Sequence, residues 1–314
     1  RIRMTGVAIP LKRRWFQFSL RTLLVATAFV GLVLAPIVYY RQLAHRQQQI
    51  KAELEVHRIV LSGGKEQSQR PQWLKKILGD DSAGLDICIH VYAASLLESS
   101  ESRERAIDKL NQLPSATMLV FPDQIDDQGL VQFRRLTNIQ TLFLERSPIT
   151  SDGLKHFRGC QDLGVLNLVA TPIGNRDLKE IARHKNLEIL YLWGTNVTDE
   201  GMQELRPLKR LRCLHLDKTR VTDAGLRELQ QFQSLEMLGF GVTSVSDAGI
   251  RELRPLKNLT HLDLGGTKVT DECLSELEYH PNLQSVNLEN TAVTLTGIRK
   301  LKAKLPSLRV NRNL

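Results

Sequence analysis

From residue 115 onward the chain stays in register with itself every 24 residues, a period that constrains the fold more than any other feature. Units begin at Ser115, Ile139, Leu163, Leu187, Leu211, Leu235, Leu259 and Leu283, with no insertion until Ser307. They share the pattern L-x-x-L-x-L-x-x-T-x-(V/I)-T-D-x-G-L-x-x-L-x-x-L-x-N. Its second leucine column runs Met118, Leu142, Leu166, Leu190, Leu214, Leu238, Leu262, Val286, and its third begins Val120, Leu144, Leu168, Leu192. Alternating leucines predict a short strand, and apolar residues three apart, such as Leu226, Leu229 and Phe232, predict a helix. A single unit cannot bury its apolar side alone, so the units must stack into a solenoid. Strands pack about 4.8 Å apart and helices about 8–10 Å apart, which puts the strands on the inner curve.

This pattern resembles the leucine-rich repeat family over about 115–306. Thr171, Thr195, Thr219, Thr243, Thr267 and Thr291 stand where that family usually has Asn or Cys, as in Thr-type bacterial repeats. The resemblance implies an α/β leucine-rich repeat solenoid, a curved parallel sheet inside and helices outside. Residues 62–114 read as its N-terminal cap: a helix over RPQWLKKILGDD with Trp73, Leu74 and Ile77 inward, a strand over 86–92, and a helix over 95–113 ending at Pro114. Residues 307–314 form the C-terminal end. The combination of SLR-TLL, the PQWLKKILGDD block and Thr-type repeats also resembles membrane-anchored repeat proteins of planctomycete-type bacteria.

The N-terminal flank has a different character. Residues 1–21 carry Arg1, Arg3, Lys12, Arg13, Arg14 and Arg21 and no acid, so most of the net charge of +9 is a leader. A nucleic-acid binder spreads its basic residues over the folded domain, next to aromatics. Here they precede TLLVATAFVGLVLAPIVYY, residues 22–40, which hold no charge and reach roughly 28 Å as a helix, enough to span a bilayer. Trp15 and Phe16 on one side, Tyr39 and Tyr40 on the other, are expected to sit in the two interfaces as anchors. A retained transmembrane helix is the expectation, with a cleaved signal peptide as its rival. Six Lys or Arg residues before the span, against Arg41, Arg46, Lys51 and Arg58 after it, predict a cytoplasmic N-terminus and a repeat domain outside. Residues 41–61 read as a helical stalk. Leu43, Ile50, Leu54 and Leu61 lie on a heptad-like stripe with Gln47 and His57, a thin basis for a weak homodimer.

Catalytic signals are absent from the motifs. The Thr-Asp pairs at 198–199, 222–223 and 270–271, with Ser246-Asp247, recur once per unit and read as helix N-caps with an acid in the first turn. The glycines two residues on (Gly201, Gly225, Gly249) read as sites of close approach to a neighbouring backbone. Cys88, Cys160, Cys213 and Cys273 form no close pair, so single packed thiols are expected. SGGKE at 62–66 and GFG at 239–241 are incomplete as phosphate or dinucleotide loops, and neither G-x-S-x-G nor H-E-x-x-H occurs. No catalytic residue, cofactor or metal is expected. His215-Leu-Asp217 and His261-Leu-Asp263 lie two repeats apart, roughly 10 Å, which is wide for one ion.

The outward strand positions are the informative ones, because packing does not dictate them. They are aromatic and apolar in the first half of the array, then polar and glycine-rich. Phe121, Phe143, Val169, Tyr191, Trp193, His215 and Asp217 are therefore the candidate partner-binding residues. The leading expectation is a membrane-anchored module that binds a protein on its concave strand face, with no nucleic acid. The alternative is a non-catalytic structural or surface-organising protein that self-associates through stalk or arc. A more remote reading, an F-box-like substrate receptor, rests on analogy alone and lacks a recognisable F-box.

Overall fold

The computed structural model describes residues 42, 60–63, 87–90, 107–108, 111–112, 117–121 and 124–312. The strands and helices below lie in one compact unit, Gln47–Gln69 with Ala83–Leu314; of the other, Arg1–Arg46 with Arg70–Ser82, only the helical Gln42 is described. The predicted leader, the span at 22–40, most of the stalk and the cap helix at RPQWLKKILGDD fall outside the described residues. Among those described, no helix is long and apolar enough to cross a membrane.

Among the described residues eleven strands form one sheet in sequence order: β1 (Val60–Gly63), β2 (Ile87–His90), β3 (Thr117–Val120), β4 (Ile139–Phe143), β5 (Val165–Asn167), β6 (Ile189–Tyr191), β7 (Cys213–His215), β8 (Met237–Gly239), β9 (His261–Asp263), β10 (Ser285–Asn287) and β11 (Arg309–Asn311). β1 pairs antiparallel with β2, and every later pairing is parallel. Two expectations change at the ends. Val60 and Leu61, predicted as the last residues of the helical stalk, lie in β1; β-branched Ile59 and Val60 followed by Gly63 and Gly64 favour a strand and turn over a helix. Arg309–Asn311, predicted only as an end, keeps the 24-residue phase and pairs with β10.

From β4 to β10 the second-column residues, Leu142 to Val286, and those two residues later, Leu144 to Leu288, are buried, as expected. The first unit departs from this. Thr117 pairs with Ile139 but Met118 pairs with Thr141, so the register slips by one and Leu119 falls opposite Leu142. Leu119 and Phe121 therefore face the core, and the predicted inward pair Met118 and Val120 is only half-buried. A slip of one residue sends every side chain to the other face.

After each of β4 to β10 the chain turns through a left-handed residue: Arg146, Ala170, Gly194, Lys218, Val242, Gly266 and Asn290. From the second of these turns onward the next residue is the repeat's Thr, whose hydroxyl donates to the carbonyl three residues back, from Thr171–Leu168 to Thr291–Leu288, at 2.5–2.7 Å. That bond satisfies a carbonyl at the turn, which explains how Thr serves there.

The helices are short: α1 (Asp127–Leu130), α2 (Ser151–Leu154), α3 (Leu178–Ile181), α4 (Asp199–Met202), α5 (Asp223–Leu226), α6 (Asp247–Glu252), α7 (Leu274–Leu277) and α8 (Leu295–Lys304). Thr150, Thr222, Ser246 and Thr270 each accept an N–H from two residues on, as N-caps do. The acid beside the cap reaches further than its own helix. Asp199 accepts the backbone N–H of Thr222 (2.7 Å), its hydroxyl (2.6 Å) and the N–H of Gly225 (3.0 Å) in the following unit. The glycine is needed for that side chain, not for a neighbouring backbone as the sequence suggested: a Cβ on Gly225 would lie 2.5 Å from Asp199 Oδ1. On the helix side, Arg158 grips Glu180 and Arg254 grips Glu276 through paired bonds of 2.5–2.9 Å between successive units. Both carboxylates are buried, and their arginines hold them below the ordinary Glu range.

Candidate functional site

The sheet face opposite the helices carries the residues that the repeat leaves free. Tyr191 on β6 pairs in register with His215 on β7, and their rings lie tilted at a centroid distance of 5.4 Å. Two residues on, half-buried Trp193 carries the Lys218 ammonium 4.5 Å from its ring centroid, a cation–π contact across two units. Phe143 and Val169 are also half-buried on this face, with Asn167 between Phe143 and Tyr191 turned back to accept the Val169 N–H at 3.0 Å.

His215 donates from Nδ1 to Asp217 Oδ2 at 3.1 Å. That bond, with a second contact to Cys213, raises the imidazole to about 10 against the opposing effect of burial. The Asp217 bond favours the imidazolium form. Asp217 is 6% exposed, and its Oδ1 accepts the Gly241 N–H at 2.6 Å. Its role is to tie β7 to the strand beside it, and it offers little carboxylate to a partner. The same geometry explains the glycine run: a Cβ on Gly239 would meet Asp217 Oδ2 at 2.6 Å and His215 Nδ1 at 2.7 Å. The glycines leave room for the His–Asp pair to lie across β8.

The second His–Asp pair is built differently. His261 is exposed and its Nδ1 lies 2.9 Å from Thr260 Oγ1, while Asp263 accepts the Gly265 N–H at 2.9 Å and the Asn287 amide at 3.0 Å. Among the described residues no group of three or more His, Cys, Asp or Glu side chains is placed to hold a metal. Cys160, Cys213 and Cys273 are buried thiols, and burial pushes Cys160 up to about 11 and Cys273 up to about 12.

The structure thus brings together Tyr191, Trp193, His215 and Asp217, and adds Lys218, which lies on a turn rather than in a strand column. Phe121 does not join them. It is 6% exposed in the core and packs edge-on against Phe133 at 5.2 Å, because of the register slip at β3.

Residues 256–277 match the family model described as Leucine Rich repeat. No curated protein matches the chain. Among solved structures, internalin C2 from Listeria monocytogenes is similar at 25% identity, over 67% of this chain and 84% of that one, with a TM-score of 0.51. The fold is a leucine-rich repeat solenoid. An internalin (inlF) from the same organism aligns at 16% identity, over 76% of this chain and 93% of that one, with a TM-score of 0.35.

Proposed function

We propose that this chain is a non-enzymatic protein-binding module, anchored in a membrane through residues 22–40, that takes a protein partner on its open strand face. The observation that carries this reading is the half-buried pair Tyr191 and Trp193, whose rings rest against His215 at 5.4 Å and the Lys218 ammonium at 4.5 Å in the next unit. Rigid aromatics with a polar tip bury much area on binding at little entropic cost, and such residues dominate interface energetics. Phe143 and Val169 extend the apolar surface on the same face. The charge asymmetry about 22–40 supports a cytoplasmic N-terminus with the repeats outside, and the Thr-type repeats support kinship with membrane-anchored repeat proteins of planctomycete-type bacteria.

The test is affinity purification from membranes with the full chain as bait, beside a Tyr191→Ala/Trp193→Ala double variant of unchanged melting temperature. Recovery of the partner should fall about tenfold or more, the scale of losing one strong hot spot. Equal recovery by both baits would remove the assignment of this face. Recovery of the chain alone, cross-linked to itself, would favour the self-associating alternative.

A further inference from the structure

Val242 combines two features that oppose each other. Its φ is 58°, in the left-handed region, and its side chain is 58% exposed. Its counterparts in the other units are Arg146, Ala170, Gly194, Lys218, Gly266 and Asn290, none of them β-branched. For a β-branched residue this backbone conformation is a genuine outlier. Burial offers no compensation, since most of the side chain meets solvent. Strain held at an exposed position points to a use on that exposed side.

The surroundings define the use. The Lys218 N–H bonds the Gly241 carbonyl, and the Val242 N–H bonds the Gly265 carbonyl, both at 2.7 Å, so these turns are adjacent rungs of one edge. Trp193 lies just before the preceding turn, at Gly194. The edge therefore presents an aromatic ring, a cation and an aliphatic group within about 10 Å. Among the described residues no carboxylate pairs with Lys218, whose ammonium rests on the Trp193 ring. A cation with no carboxylate partner among the described residues, on an edge that also carries apolar groups, is complementary to an acid beside an apolar side chain.

We infer that Val242 is an apolar anchor of the binding site, and that the partner is a protein segment presenting an aliphatic or aromatic side chain next to a carboxylate. The apolar group packs on Val242 and the carboxylate meets Lys218. This rests on the open-face reading above. The probe is a displayed random-peptide library selected against the full chain in detergent, with the winning peptides synthesised and their affinities measured against Val242→Gly, Lys218→Gln and Trp193→Ala. Selected peptides should place Asp or Glu beside Leu, Ile or Phe. Val242→Gly should raise the unfolding midpoint and still weaken binding about fivefold or more, and Lys218→Gln should reduce the salt dependence of binding. Peptides without an acid, or a Val242→Gly chain that is more stable and binds equally well, would overturn the inference. If Trp193→Ala weakens binding and Val242→Gly does not, the open face stands and this anchor fails; if none of the three variants weakens it, both fail. A Val242→Gly effect on self-association alone would make the occupant a second copy and overturn it as well.

Discussion

At the scale of single residues, the same type of side chain does opposite work in different surroundings. His215 is favoured as a cation by its bond to Asp217 on the open face, while His184 and His280 sit in the core with their pKa lowered by burial. Each of those two places its Nδ1 against the carbonyl one unit back, Cys160 O at 3.2 Å and Leu256 O at 2.9 Å. The signs of their pH dependence therefore differ. The raised pKa of His215 gives stability that is complete below the ordinary value of 6.5 and is lost as pH rises through about 10. The lowered values of His184 and His280 give stability that is complete above 6.5 and is lost as pH falls below it. In an NMR titration of the imidazole protons, His215 should show no midpoint near 6.5, and Asp217→Asn should bring its midpoint down toward that value. An unchanged His215 midpoint in Asp217→Asn would contradict the pairing.

At the scale of elements, one column binds each helix to the next. Asp127, Asn175, Asp199, Asp223, Asp247 and Asp271 send an oxygen forward to the following cap. The column breaks once, where Ser151 stands in place of the acid. There the polarity is reversed: Asp177, in the position that Gly201 and Gly225 hold in later units, accepts the Ser151 N–H at 2.7 Å and the Gly174 N–H at 2.9 Å. Asp177→Gly should lose roughly 1–3 kcal/mol by orphaning those donors. Adding Ser151→Asp should recover much of it in a urea-unfolding double-mutant cycle, and strict additivity would show that the two positions are not exchanging one role. None of this reciprocity was legible from motifs read one unit at a time, because donor and acceptor lie about one repeat apart. Strand phase was legible, since each leucine column has only one buried solution. The first unit misled because Met118, Leu119, Val120 and Phe121 are all apolar, so alternation alone could not say which pair faces inward. Tyr191 and Trp193 could be found as outward residues, whereas the inward tie of Asp217 depends on a backbone N–H in the neighbouring unit.

At the scale of the whole molecule, stability is distributed and function is local. Hydrogen bonds between neighbouring strands, the acid column and the Arg–Glu grips each connect a unit to the next, so the solenoid holds through nearest-neighbour contacts. Regular stacking of that kind dictates the core and the helix side and leaves the open face free to vary. The central claim is that a partner occupies this face near β6 and β7. Amide hydrogen exchange of the full chain, with and without the partner recovered on membranes, tests it most directly. The account predicts added protection at residues 191–194 and 215–218 on binding, with helices α4 (Asp199–Met202) and α5 (Asp223–Leu226) unchanged. Protection confined to the helix side, with 191–194 and 215–218 exchanging as in the free chain, would contradict it.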